Sequence, residues 1–407
     1  MQHVDGKGDD NRGPARSRSV YIATFGCQMN VRDSEIVAGI LKKKRFSFVD
    51  DAKKADCVLI NTCAVRQHAE DRVWSEIGAC AKLKNKPLIG LIGCMAQNYK
   101  ENSFQRAKAL DFVVGPADIA KIPSIIKDLL KTRGQSLKNG DSPHKILERK
   151  IWETDGLNRP EEVYHTGYYE PGKDHAFVVI SEGCTNFCSY CVVPYTRGAL
   201  RHRNHQDIIK EIKSAIKKGI AKFTLLGQNV SAYHSDKVNF VELVRLVNSV
   251  KGVKEFTFMT SHPKDTNVEL FKAIRDNDKL AKFLHLPVQS GSDSILKLMN
   301  RGYTRKFYLD LIDNYRKIVP EGILTTDIIV GFPGETDKDF QDTFDLVKEV
   351  RFNGSFIFKY SPRPKTEALK YEDDISKELK EKRHKAILDL QIKICKEKKA
   401  HKNEIKN

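Results

Sequence analysis

The sequence predicts an α/β protein in two successive units, an N-terminal doubly wound parallel sheet followed by a second strand–helix array of six strands. Three observations carry this prediction. Short apolar runs of strand length alternate with longer, charged stretches of helical length. The alternation breaks once, around residues 133–174, where Gly134, Gly140, Pro143, Pro160, Pro171 and Gly172 interrupt any periodicity. The residues with chemical potential fall just beyond the ends of the apolar runs. In an open parallel sheet those ends share one edge, and ligands bind there.

In the first unit, residues 20–25 read as a short buried strand ending in Gly26-Cys27-Gln28-Met29-Asn30. Asn30 is placed to cap a helix that runs through Leu41. A second buried strand, 57–60, ends at Asn61-Thr62-Cys63, and a helix of mixed charge follows to about Leu83. A third, 87–92, ends at Gly93-Cys94-Met95. Another helix, a strand over 112–114 and a helix over 117–130 complete the unit. Cys27, Cys63 and Cys94 thus stand at the same topological place after three different strands. Cys57 opens a strand and Cys80 lies on a helix, so both read as small buried apolar groups.

In the second unit, strands are expected at 176–181, 222–227, 255–260, 282–288, 323–330 and 355–360. Helices fill the gaps, for example 206–217 and 336–350. Six strands are too few for a closed eight-stranded barrel. The first strand runs into Glu182-Gly183-Cys184-Thr185-Asn186-Phe187-Cys188-Ser189-Tyr190-Cys191, with cysteines spaced Cys-x3-Cys-x2-Cys. Thiolates are the soft ligands that iron–sulfur clusters take, and a loop with three of them can wrap one [4Fe–4S] cube. The next cysteine is Cys395, so one iron would lack a protein ligand. The alternatives are a zinc site or plain packed thiols; zinc favours paired Cys-x2-Cys knuckles and four ligands. The other strand ends carry Gly227-Gln228-Asn229, Thr260-Ser261-His262, Gln289-Ser290-Gly291-Ser292, Asp327 with Gly331-Phe332-Pro333-Gly334, and Tyr360-Ser361-Pro362-Arg363-Pro364. Gly331 and Gly334 either let backbone approach a ligand or turn the chain into a helix capped by Thr336 with Asp339. His262 and His285 read as structural, hydrogen-bonded histidines.

The run Cys184-x3-Cys188-x2-Cys191, continued by Val192-Val193-Pro194-Tyr195-Thr196-Arg197-Gly198, resembles the radical S-adenosylmethionine (SAM) methylthiotransferases, most closely the MiaB type that acts on tRNA. The segments Thr24-Phe-Gly-Cys-Gln-Met-Asn30, Asn61-Thr-Cys-Ala-Val-Arg66 and Gly93-Cys-Met-Ala-Gln97 resemble that family's N-terminal domain. The likeness runs from about Tyr21 to about Gln391. It implies that the second unit is an open radical SAM partial (β/α)6 barrel. It implies two [4Fe–4S] clusters, one on Cys184, Cys188 and Cys191 that chelates SAM, and an auxiliary one on Cys27, Cys63 and Cys94. SAM contacts are then expected at Tyr190, Gln228, Gln289, Ser290, Asp327, Gly331, Phe332 and Pro333. The implied reaction cleaves SAM reductively and removes hydrogen from an unactivated carbon, a step the cofactor must carry because such a C–H bond has no accessible pKa. The implied product is the 2-methylthio derivative of N(6)-isopentenyladenosine next to the anticodon. Implied partners are the tRNA anticodon loop, a low-potential electron donor and a sulfur donor, with the chain a monomer. Arg197, Arg201 and Arg203 follow the cysteine loop and are candidates to touch the phosphates or the anticodon loop, with a solvated basic turn as the alternative.

Rival readings are a methylthiotransferase acting on threonylcarbamoyl-adenosine in tRNA or on a ribosomal-protein aspartate, and a non-catalytic iron–sulfur RNA-binding or sensor protein. Pro194-Tyr195-Thr196-Arg197-Gly198 favours the isopentenyl branch, and Gln289, Ser290 and Asp327 are not what a sensor needs. Methylthiotransferases of this type usually continue into a small β-barrel domain, TRAM. Here the charged helical stretch 373–407 ends the sequence, so TRAM is expected to be absent.

Composition sets the outer bounds. A net charge of +17 over 407 residues favours a polyanionic partner, although a lysine-rich solvated surface would give the same total. No apolar run approaches the ~20 residues of a spanning helix, so no membrane is expected. Residues 1–18 are polar and read as a disordered tail with no secretory signal. Nine cysteines without such a signal point to a reducing, cytoplasmic setting and to metal, not disulfides. The expected divisions are then 1–18 tail, 19–132 N-terminal domain, 133–174 linker with short strands, 175–372 barrel and 373–407 charged helix.

Overall fold

The computed structural model describes residues 18–64, 67–138, 150–156, 158–170 and 172–404. The tail expected over 1–18 lies outside the described residues except for its last position.

The first unit is a parallel sheet of six strands: β1 Ser19–Phe25, β2 Ser47–Phe48, β3 Cys57–Thr62, β4 Leu88–Gly93, β5 Phe112–Val114 and β6 Ile151–Glu153, in the order β2-β1-β3-β4-β5-β6. Every residue of β3 and β4 is buried, because helices cover both faces of an all-parallel sheet. The strand order reverses between β1 and β3, and a crevice opens at such a switch point. Helix α1, Gln28–Lys43, leaves β1; α2, Gln67–Ala81, follows β3; α3, Cys94–Tyr99, follows β4. One expectation is corrected here. Asn30 does not cap α1, which begins at Gln28 with Cys27 in the cap position; the Asn30 amide bonds to Asn61 instead. The linker of 133–174 carries a short strand, β6, which pairs with β5 and completes the sheet edge.

The second unit contains β7 His175–Val179, a ribbon of β8 Ser181–Glu182 with β9 Arg201–His202, β10 Lys222–Leu226, a ribbon of β11 His234–Ser235 with β12 Val238–Asn239, β13 Glu255–Met259, β14 Phe283–His285, β15 Ile323–Val330 and β16 Gly354–Lys359. The main strands pair in parallel as β7–β10–β13 and β14–β15–β16, and a bridge between Phe256 and Leu280 joins the halves. Among the described residues nothing pairs β16 with β7, so the barrel is open. Alternation along β15 sends Leu324, Ile328 and Val330 to the outer helices and turns Thr325 and Asp327 to the lumen. Thr336 and Asp339 form the expected capping box on the helix Asp337–Val350.

The two units share a core. Ile36 and Val37 of α1 belong to the same apolar cluster as Val179 and Leu226 of the barrel, with Phe177 and Met259 packed against it. The C-terminal helix, Lys377–Glu404, is also integral, which corrects the expectation of a separate charged segment. It buries Ile387 and Ile394 in the barrel core, and Gln391 donates to the Phe352 carbonyl at 3.0 Å. Among the described residues no helix is long and apolar enough to cross a membrane.

Candidate metal centres

The loop after β8 is built around Gly183, whose φ of +79° favours glycine and whose added Cβ would stand 2.2 Å from the Ala199 carbonyl oxygen. The Gly183 amide donates to Gln228 Oε1 at 2.7 Å, so the end of β10 fixes the first cysteine. Ser189 ties the middle of the loop to the turn after the helix Asp293–Leu298, its amide donating to the Met299 carbonyl at 3.0 Å. From the same turn, Arg301 donates to Cys188 Sγ at 3.3 Å, to Tyr190 Oη at 3.4 Å and to the Pro287 carbonyl at 2.9 Å. Burial pushes the Cys184 thiol up, and pushes Cys191 up to about 12 with help from the neighbouring Cys188 charge. Three free soft sulfurs that repel one another as thiolates suit a cationic iron cluster, which relieves that repulsion.

The second triad uses the same device. Gly26 at φ +126° and Gly93 at φ +91° precede Cys27 and Cys94. A Cβ on Gly26 would sit 2.5 Å from Cys63 Cβ, and one on Gly93 would sit 2.3 Å from Asn61 Oδ1. The amides of Asn30 and Asn61 lock the two turns together: Asn30 Nδ2 donates to Asn61 Oδ1 at 3.1 Å, and Asn61 Nδ2 donates to the Asn30 carbonyl at 2.8 Å. Cys27 Sγ lies 3.3 Å from Asn30 Oδ1. The Cys63 side chain bonds to Cys27 and, against burial and aided by Arg197, lowers the Cys27 thiol to about 6. Burial raises the Cys94 thiol. Among the described residues no three His, Cys, Asp or Glu side chains gather as ligands of one metal ion.

The triads adjoin. Val192, directly after Cys191, packs in one small cluster with Cys94 and with Ala64, directly after Cys63. Arg197 on the helix Val193–Arg197 reaches across: Nε donates to Cys94 Sγ at 3.2 Å, Nη1 to Glu182 Oε1 at 3.2 Å and Nη2 to Asp33 Oδ2 at 2.6 Å.

Four buried polar atoms at the barrel's strand ends, Ser181 Oγ, Asn229 Oδ1, Ser261 Oγ and His262 Nε2, have no hydrogen-bond partner. Leaving such groups unpaired is costly, so a polar ligand at this edge fits them. His262 is held neutral, pushed down to about 2 by burial and then by Arg301 and Lys264.

The other predicted contacts lie in packed surroundings. Ser290 is buried with its hydroxyl 3.2 Å from Thr343 Oγ1, and it seats the helix Asp337–Val350. The Gly331 amide donates to Glu335 Oε2 at 2.7 Å, and a Cβ there would meet the Lys380 side chain, so the close approach is to the C-terminal helix. Phe332 is fully buried with its ring 5.1 Å from that of Tyr360, and Pro333 is buried in the same turn. Gly331 faces Lys380 of the helix Lys377–Glu404, while Phe332 packs in one cluster with Tyr360, Tyr371 and Tyr190. Gln228 positions the cysteine loop. Tyr190, Gln289 and Asp327 remain at the candidate site; Asp327 Oδ2 stands 3.4 Å from His285 Nε2 in the lumen.

The basic turn is likewise corrected. Arg197 and Arg203 are buried, not turned to an RNA surface; Arg203 donates to Glu211 Oε2 at 2.6 Å and to Glu161 Oε1 at 2.9 Å. Two of their carboxylate partners, Asp33 and Glu161, arrive from distant sequence positions. Arg201 alone of the three is partly exposed, at the rim of a cleft of about 250 Å³ that Tyr195 and Gln97 also line. Arg301 escaped sequence reasoning, because nothing in its spacing ties it to Cys188.

Residues 178–347 match the Radical SAM superfamily, and residues 19–115 match the Uncharacterized protein family UPF0004. The tRNA-2-methylthio-N(6)-dimethylallyladenosine synthase of Thermoanaerobacter pseudethanolicus is 40% identical over 400 residues, covering 96% of this chain and 81% of the relative. That of Fervidobacterium nodosum is 42% identical, covering 93% and 84%. Among solved structures, the radical S-adenosylmethionine methyltransferase TsrM from Kitasatospora setae, with cobalamin and a [4Fe-4S] cluster bound, aligns with a TM-score of 0.56 at 13% identity over 86% of this chain and 74% of that one. The cobalamin-dependent radical enzyme OxsB with aqua-cobalamin aligns at 0.52 and 12% identity, over 90% and 56%. At such identities the likeness speaks for the fold.

Proposed function

This chain belongs to the radical SAM methylthiotransferases of the MiaB type, and from that premise we propose that it adds a methylthio group to carbon 2 of N(6)-isopentenyladenosine beside the anticodon of tRNA. It is a radical SAM enzyme that uses an iron–sulfur cluster and SAM. The reading of two clusters rests on the two triads. Cys184, Cys188 and Cys191 would hold the SAM-binding [4Fe–4S] cluster, and Cys27, Cys63 and Cys94 the auxiliary one. When bound, these groups and SAM supply the radical, the sulfur and the methyl group, which no side chain here can supply.

The chain's own residues bind, orient and enclose. Gln228 holds the first cysteine turn, and Arg301 holds Cys188 and Tyr190 in fixed relation. Ser181, Asn229, Ser261 and neutral His262 offer polar atoms to SAM, with Tyr190, Gln289 and Asp327 nearby on the same edge. Arg201 and Tyr195 at the cleft rim are the proposed RNA contacts. A low-potential electron donor, a sulfur donor, a monomeric state and a cytoplasmic setting complete the reading.

One observation supports it: Cys94 packs with Ala64 and Val192, the neighbours of Cys63 and Cys191, so the loops that carry the two triads adjoin. Mass analysis of nucleosides from tRNA treated with the reconstituted enzyme is the test. The 2-methylthio derivative of isopentenyladenosine is the expected product; its absence, with methylthio found on threonylcarbamoyl-adenosine, would overturn the substrate. A Cys27, Cys63 and Cys94 triple-alanine variant should still release 5′-deoxyadenosine from SAM while leaving the RNA unthiolated. Loss of SAM cleavage in that variant, with the fold intact, would overturn the division of work between the triads.

A further inference from the structure

Arg197 is an unusual side chain. It lies six residues beyond the last cysteine of the barrel loop, yet its guanidinium ends on a cysteine of the other domain. Its three nitrogens are committed to three different partners: Cys94 Sγ at 3.2 Å, Glu182 Oε1 at 3.2 Å and Asp33 Oδ2 at 2.6 Å. Both carboxylates are buried, and both are shared with a second buried guanidinium, Arg159, at 2.8 Å from Asp33 and 3.4 Å from Glu182. Arg201 adds a third, partly exposed guanidinium 3.7 Å from Glu182, and the set of ion pairs fixes the plane of Arg197. A planar fork held at both Nη atoms has no freedom left for its Nε, which must point at the sulfur.

We propose that Arg197 is a positioning residue for the auxiliary site: from the barrel loop it holds a fixed, charged hydrogen bond on Cys94 Sγ and thereby sets the reduction potential of the cluster which that thiolate holds. The inference rests on the two-cluster reading given above. The physical reason is that adding an electron makes a cluster more negative. A cationic donor beside one of its sulfurs stabilises the reduced form more than the oxidised form, so the potential rises. A low-dielectric surrounding strengthens the effect, and Arg197 and Cys94 are both buried. The same bond couples the two halves of the enzyme, because the residue that tunes one triad is carried on the chain that leaves the other.

The test is a potentiometric titration, with dithionite and mediators, of the full chain in which Cys184, Cys188 and Cys191 are alanine, so that only the auxiliary cluster is read. Arg197→Gln removes the charge and should shift the midpoint to more negative potential. Arg197→Lys keeps the charge that Asp33 and Glu182 need, so it preserves the fold if the glutamine variant does not load. Its ammonium, drawn to the two carboxylates, should give up the sulfur and shift the midpoint the same way by less. Arg203→Lys is the control. It is equally buried and ion-paired but touches no cysteine, and its midpoint should match the parent. Arginine variants that load iron and keep the parent midpoint would overturn the proposal and leave the cluster reading intact. A parent that binds no iron would overturn the two-cluster reading itself, and the proposal with it. A shift of equal size in Arg203→Lys would show a general loosening and overturn the specific role of Arg197.

Discussion

An added methyl at Gly183 would collide with the Ala199 carbonyl oxygen at 2.2 Å and would also have to adopt φ +79°. Gly183→Ala should therefore displace Cys184 while leaving the N-terminal triad untouched. The expected result is roughly half the parent iron content, by the equal stoichiometry of two cubes, with SAM cleavage lost; iron analysis beside 5′-deoxyadenosine release checks it. Three of the six cysteines, Cys27, Cys94 and Cys184, directly follow a glycine at positive φ. That pattern is visible in the sequence once one asks which cysteines need a sharp turn after a strand. Spacing singled out Cys184, Cys188 and Cys191, and position after three strands singled out Cys27, Cys63 and Cys94, because both signals are local to strand ends. Arg301 and Arg197 were not identified, or were misassigned, because their roles depend on Cys188, Asp33, Glu182 and Cys94 meeting through space. An arginine beside a basic stretch looks solvated until its carboxylates arrive from elsewhere.

At the scale of elements, Asp339 does two jobs. Its Oδ2 belongs to the capping box with Thr336, and its Oδ1 accepts from Ser292 at 2.5 Å and from Ser294, at the start of the helix Asp293–Leu298. One carboxylate therefore holds two helix starts. Burial pushes its pKa up, but the bonds from Ser292, Ser294 and Thr336 outweigh that and bring it to about 2 from an ordinary 3.8. The folded value lies below the unfolded one, so this stabilisation is full above about pH 4 and is lost as pH falls towards 2. Thr336→Ala should cost about 1 kcal/mol in urea unfolding at neutral pH. Asp339→Asn should cost more, and it should flatten the fall in stability between pH 4 and pH 2; an unchanged acid slope would refute the assignment. Thr336 and Asp339 were legible as a helix start because a cap and its third helical position are neighbours in sequence. The grip on Ser292 and Ser294 was not, and neither was the covering of Gly331 by Lys380 of the C-terminal helix. Both are tertiary contacts between elements that look complete on their own.

At the scale of the molecule, the two units are expected to unfold as one cooperative body. They share the apolar cluster of Ile36, Val37, Val179 and Leu226, and the buried ionic set of Asp33, Arg159, Arg197 and Glu182. Asp33→Asn leaves two buried guanidiniums short of charge and should destabilise by about 3–5 kcal/mol, with little dependence on salt because the set is shielded from solvent. Both tryptophans, Trp74 and Trp152, lie in the first unit. Their fluorescence should therefore lose its native signal at the same denaturant concentration as far-UV circular dichroism, which is weighted to the barrel; two separated transitions would show that the units unfold independently. The strand alternation in the sequence revealed two units, but the shared core was invisible, because the inner face of β7 reads as ordinary strand interior. The shared core also sets an order for biosynthesis. Helix α1 leaves the ribosome long before Leu226 exists, roughly 10–40 s earlier at ~5–20 residues per second. Through that interval its barrel-facing side chains have nothing to cover them, and Arg32, which ends fully buried with Glu211 at 2.8 Å, must wait in water for its partner. The nascent first domain is thus a half-built surface until the first strands of the barrel are made.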